Sequence, residues 1–127
     1  MRYKVFLDTN ILLSGIFFKG NESRILDLVE LDIVTSEDVV DELRRVVKKK
    51  LKYLQERTFE IAVSETEKAL TDISIIPRSQ YNHKLKEAGS LITHKKDITI
   101  LAAVLYTKPD FFLTGDAHFL PTKSEAS

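Results

Sequence analysis

Four short runs rich in β-branched and aromatic residues alternate with longer stretches of helical periodicity, and this alternation constrains the chain more than any other feature. The runs are YKVFLD (residues 3–8), LDIVTS (31–36), DISIIP (72–77) and DFFLTG (110–115), each reading as a buried strand. Between them, residues 21–30 place Ile25, Leu28 and Val29 on one helical face. SEDVVDELRRVV does the same with Val39, Val40, Leu43, Val46 and Val47, and 59–70 with Phe59, Ala62, Val63, Thr66 and Leu70. Residues 81–94 repeat Leu85, Ala88 and Ile92, and DITILAAVLY (97–106) is apolar nearly all round, as an interior helix would be. Strands separated by helices imply an α/β fold, a three-layer sandwich with a mostly parallel central sheet. A chain of 127 residues at 43% hydrophobic content supports one core, so residues 1–120 are expected to form a single domain and 121–127 a disordered tail.

Charge and cysteine content exclude several classes. Lys plus Arg equals Asp plus Glu at 19 each, so any electrostatic site must be local. The absence of Cys rules out a disulfide framework and a thiolate zinc cluster, and suits a cytoplasmic protein. The longest apolar run, Ile11 to Phe18, is broken by Ser14 and Gly15 and falls short of the ~20 residues of a bilayer span. No signal peptide pattern precedes it, and no membrane association is expected.

The acids point to the chemistry. In open parallel sheets the crevice beyond the strand C-termini binds ligands. Asp8 ends the first run and Asp116 follows the fourth, so both are expected at that edge. Asp97 opens an interior helix whose N-terminus faces the same edge if the helix runs antiparallel to the strands. In SEDVVDELRRVV, Glu42 borders the apolar face whereas Asp38 and Asp41 point outward; Glu37, on the other border, sits in the first turn, where an acid is favoured by the helix dipole in any case. Singly, Asp97 also fits a helix cap, Asp116 a Gly-Asp turn and Glu42 a solvated helix acid. Jointly, four carboxylates at one edge would repel and raise one another's pKa values unless cations neutralised them. All-oxygen ligation suits Mg²⁺ or Mn²⁺, and a pair of such ions suits phosphodiester hydrolysis.

FLDTNILLSGI, DVVDELRRVV, KKDITILAAVL and FFLTGDAHFL together resemble the PIN-domain family, and within it the VapC-like toxins of toxin-antitoxin systems, over about residues 3–120. The resemblance implies an Mg²⁺- or Mn²⁺-dependent endoribonuclease whose matching positions are Asp8, Glu42, Asp97 and Asp116. It further implies that Asn10 orients the cluster and that Thr114 holds Asp116 or a metal-bound water. A homodimer or higher oligomer and a small antitoxin partner follow from the same resemblance, with apolar side chains among Ile16, Phe17 and Phe18 as the candidate contact. PIN domains usually add a short helix and a fifth strand after the last acid. Here only AHFLPTKSEAS follows, and with Pro121 in it the fold is expected to lack that last edge strand.

Other features bear on this reading. RRVVKKKLKYLQER supplies Arg44, Arg45, Lys48 and Lys49, which either track an RNA backbone or form a solvated helix face. His83, His94 and His118 lack zinc-motif spacing, although His118 is close enough to Asp116 to touch substrate. A haloacid-dehalogenase-like phosphatase would need a second Asp where Asn10 stands. A receiver domain would need an acid closing its third strand, where this chain reads IIPRS. The remaining alternative is a catalytically impaired PIN-fold module that binds nucleic acid or protein.

Overall fold

A computed structural model of the chain describes residues 2–17, 30–53 and 55–114. The elements are β1 (Tyr3–Leu7), α1 (Thr9–Phe17), β2 (Leu31–Ser36), α2 (Glu37–Leu51), α3 (Glu56–Leu70), β3 (Ser74–Ile76), α4 (Arg78–Tyr81), a 3₁₀ turn (Asn82–Lys84), α5 (Leu85–Leu91), α6 (Lys95–Thr107) and β4 (Phe111–Leu113). The four strands form one sheet in the order β3-β2-β1-β4 with every neighbouring pair parallel.

In the central strand β1, Val5, Phe6 and Leu7 are all buried although successive side chains point to opposite faces. Both faces of the sheet are therefore covered, as an all-parallel sheet requires. The same core contains Ile33 and Val34 of β2, Val39, Val40, Leu43 and Val47 of α2, and Ile100, Ala102 and Ala103 of α6. Phe6 and Phe112 meet edge to face at 5.7 Å across the β1–β4 pair, and Tyr3 and Phe111 at 5.8 Å.

Strand order decides where a ligand crevice lies. The chain steps from β1 to β2 to β3 in one direction, then returns past all three to place β4 on the other side of β1. The reversal makes the carboxyl ends of β1 and β4 the topological switch point. Asp8 follows β1 and Thr114 follows β4.

Several boundaries differ from expectation for identifiable reasons. β2 spans 31–36 as expected. β3 is shorter because Asp72 and Ile73 donate their N–H groups to Ala69 and Leu70, closing the end of α3. β4 is shorter because Asp110 is occupied with Lys4, accepting from its backbone N–H at 2.8 Å and donating to its carbonyl at 2.8 Å. The single helix expected over 81–94 is instead α4, the 3₁₀ turn and α5. At ~120° per residue rather than ~100°, three 3₁₀ residues rotate the following face by about 60°. Buried Tyr81 and buried Ala88 are thereby both accommodated. The segment 21–29, with Ile25, Leu28 and Val29, lies outside the described residues, as do Phe18 and everything from Gly115 onward, including Asp116, His118 and the tail. Among the described residues no helix is long and apolar enough to cross a membrane.

Candidate active site

Asp8 is held from both sides of the switch point. Its N–H donates to the Leu113 carbonyl at 3.2 Å, extending the β1–β4 ladder by one residue. Its own carbonyl accepts from Leu12 at 3.1 Å and its Oδ1 from the Ile11 N–H at 3.2 Å, which makes it the N-cap of α1. The other oxygen, Oδ2, accepts a hydrogen bond from the Thr114 hydroxyl. Asp8 is only 3% exposed. A buried carboxylate bonded on both oxygens is locked in one rotamer, the state required of a ligand or a base.

Asp97 reaches the same edge. The C-terminus of α6 lies beside the start of β1, since Lys4 Nζ donates to the Thr107 carbonyl at 3.4 Å. From that level Asp8 is about 13 Å along the strand. Asp97, ten residues before Thr107 on the helix, is about 15 Å along α6 in the same sense. The side chain of Asp97 is 6% exposed in the first turn of α6.

Glu42 is half-buried on α2 and lines a cavity of about 240 Å³ together with Asp38, Asp41, Arg45, Arg78, Lys95, Lys96 and Thr99. The cavity joins α2 to the first turn of α6, the turn that carries Asp97. Asn10, by contrast, is exposed in the first turn of α1 and makes no side-chain hydrogen bond among the described residues. Thr114 engages Asp8, where the resemblance assigned it to Asp116 or a metal-bound water.

The basic stretch is divided. Arg44 makes a two-pronged pair with Glu67 of α3 at 2.8 and 2.9 Å, which holds the Glu67 carboxyl below its usual range and raises the Arg44 guanidinium. Arg45, Lys48 and Lys49 are exposed, with no ion pair among the described residues.

A clasp centred on Arg78 has no direct sign in the local residue pattern. Its guanidinium reaches Glu37 at 3.1 Å, Asp38 at 2.8 Å and Asp41 at 3.0 Å, and its N–H donates to Glu37 at 2.8 Å. The hydrogen bond and charge of Asp38 raise the arginine further above its ordinary value. Asp38 also accepts from the hydroxyl of buried Tyr81. Burial, reinforced by that bond, pushes the Tyr81 phenol up to about 12. Asp38 and Asp41 thus both bond Arg78 of α4, Asp38 largely covered and Asp41 still partly exposed on the outer side of α2. The one available signal was the position of Arg78, immediately after β3 and Pro77 at the carboxyl edge.

The donor chemistry fits a hard divalent cation. Asp8, Asp97 and Glu42 offer only oxygen, and the Thr9 hydroxyl beside Asp8 is buried with no hydrogen-bond partner among the described residues. Among the described residues no group of three or more His, Asp or Glu is gathered closely enough to hold a metal.

The family model for the PIN domain matches residues 6–125. The chain belongs to the PIN domain family. PIN domains are typically nucleases. Among solved structures, VapBC2 of Rickettsia felis bound to a DNA fragment from its promoter is similar with a TM-score of 0.67 and 21% identity, over 91% of this chain and 90% of that one. FitAcB of Neisseria gonorrhoeae gives a TM-score of 0.66 and 20% identity, over 90% and 88%. VapC20 of Mycobacterium tuberculosis, a toxin that cleaves the sarcin-ricin loop, gives 0.61 and 16%, over 96% and 94%. At these identities the likeness is one of fold. No curated protein sequence matches the chain significantly.

Proposed function

We propose that this PIN domain is a metal-dependent endoribonuclease that hydrolyses phosphodiester bonds of single-stranded RNA, as the toxin of a toxin-antitoxin pair. The observation that carries this reading is Asp8, buried at the switch point and fixed through both carboxylate oxygens. Asp8, Glu42 and Asp97, with Asp116, would hold Mg²⁺ or Mn²⁺. Such ions supply an activated water and stabilise charge on the phosphoryl oxygens.

The chain's own part is positional. Thr114 and the α1 N-terminus hold Asp8 to one orientation. Burial of Asp97 in the first turn of α6 keeps a second carboxylate at the same level of the sheet edge. Of the basic residues on α2, Arg45 lines the cavity beside Glu42 and is the one we assign to substrate phosphate, whereas Arg44 is committed to Glu67 and Lys48 and Lys49 lie farther along the helix, away from the edge.

The fold likeness to solved structures that include a toxin-antitoxin complex from Klebsiella pneumoniae supports an antitoxin partner, while the homodimer rests on the family resemblance alone. Of the proposed contact residues, Ile16 packs against the core and is half-buried, which leaves it only part of its surface to offer. A second reading, a PIN-fold module that binds without cleaving, is favoured by the lack of a gathered metal cluster among the described residues. Purified protein incubated with single-stranded RNA separates the two. Cleavage is expected with Mn²⁺ or Mg²⁺ and its loss in EDTA; binding without cleavage under every divalent condition contradicts the nuclease reading.

A further inference from the structure

The cavity between α2 and α6 holds its charges in two separate groups. Its walls hold four cations, Arg45, Arg78, Lys95 and Lys96, and three acids, Asp38, Asp41 and Glu42. Arg78 is consumed by the clasp, bonding Asp38 and Asp41 together with Glu37. That leaves Glu42 facing Arg45, Lys95 and Lys96, three exposed cations with no ion pair among the described residues.

At about 240 Å³ the cavity is smaller than the roughly 300 Å³ at which pockets for drug-sized molecules begin. Exposed lysines on its rim make it an open notch rather than an enclosed chamber. Lys95 and Lys96 also immediately precede Asp97, so a chain lying in the notch passes directly over the first turn of α6. Like charges held together unpaired are costly unless an anion joins them. Ammonium groups on flexible stems suit phosphates as point charges, and Arg45 adds a planar fork.

We propose that this notch is a backbone-phosphate subsite for single-stranded RNA, with Lys95, Lys96 and Arg45 as the phosphate contacts and Arg78 as the residue that engages Asp38 and Asp41 in ion pairs of its own. The inference rests on the nuclease reading and names where its substrate is gripped. Phosphate contacts of this kind set the register of the strand without reading its bases.

The test is fluorescence anisotropy of a labelled single-stranded oligoribonucleotide bound to the full chain in EDTA, across a salt series. Removing one cation that neutralises a phosphate of a single strand reduces the slope of log Kd against log salt by about 0.7, or about fivefold in affinity near 0.1 M salt. The double variant Lys95→Gln/Lys96→Gln is therefore expected to bind about 25-fold more weakly with a slope shallower by about 1.4, and Arg45→Gln about fivefold more weakly. The pair Lys68→Gln/Lys86→Gln removes the same charge from exposed positions outside the cavity and should leave affinity and slope as in the parent. Parental binding by Lys95→Gln/Lys96→Gln overturns the subsite while a cleaving parent leaves the nuclease reading intact. Equal weakening by both pairs overturns it too, since binding would then follow net charge and not place. Tighter binding of single-stranded DNA of the same sequence would overturn the assignment to RNA. A parent that neither binds nor cleaves RNA removes both readings together.

Discussion

Asp8 has two jobs that pull its mutants in different directions. As N-cap of α1 it accepts from Ile11, and as a fixed carboxylate it accepts from Thr114. Asn preserves a cap acceptor, so Asp8→Asn is expected to cost under about 1 kcal/mol, whereas Asp8→Ala loses the cap and costs about 1–2 kcal/mol. Chemical denaturation of the three proteins without metal checks the order; equal destabilisation by Asn and Ala would mean that the carboxylate charge, not the cap, carries the stability. Charge repulsion alone would have Asp8→Asn stabilise the metal-free chain, and the two hydrogen bonds offset that gain. Tyr81 offers a second residue-scale test. Its phenol is raised from about 10 in the unfolded chain to about 12, so the folded state binds the proton more tightly. Folding stability from this group is full below pH ~10 and is lost as pH climbs through about 12. Thermal melting across that range should show a decline that Tyr81→Phe lessens; an identical slope in both proteins would place the raised ionisation elsewhere.

Elements were legible in proportion to how local their causes are. The range of β2 could be read directly because its apolar run stops at Ser36, whose Oγ accepts from Val39 N–H at 3.2 Å and starts α2. That cap is fully buried, and Ser36→Ala is expected to lower the urea midpoint by the equivalent of about 1 kcal/mol with little change in the slope. A midpoint at the parental value would mean that packing alone sets where α2 begins. The buried face of α2 was equally readable from Val39, Val40, Leu43 and Val47, with Val46 at its half-buried margin. The division of 81–94 was not, because it depends on Tyr81 reaching Asp38, 43 residues earlier. Periodicity within one segment carries no information about a partner that distant. For the same reason the outward placement expected for Asp38 and Asp41 missed Arg78, an arginine from a different crossover. In the candidate site, Asp8 could be picked out because it closes a strand and Glu42 because it borders a helical face, whereas the cations facing Glu42 from other helices, Lys95 and Lys96, could not.

For the whole molecule, the parallel sheet turns a list of scattered acids into an edge. Order β3-β2-β1-β4 sets the switch point at Asp8 and Thr114, and α6, running back along the sheet, brings Asp97 to the same level. β4 is the outer strand on one side among the described residues, a place where a second chain can add its own surface. The central claim is that carboxylates at this edge perform RNA hydrolysis. Single-turnover cleavage of single-stranded RNA in Mn²⁺ by the parent, Asp8→Asn and Asp97→Asn, each first confirmed folded by thermal melting, tests it most directly. Both variants are expected to fall at least about a hundredfold in rate, beyond the drop typical of altering a group behind a metal ligand, and the parent to stop in EDTA. Folded Asp8→Asn and Asp97→Asn proteins that cleave at the parental rate would contradict the account and leave the two acids as a helix cap and a buried first-turn residue.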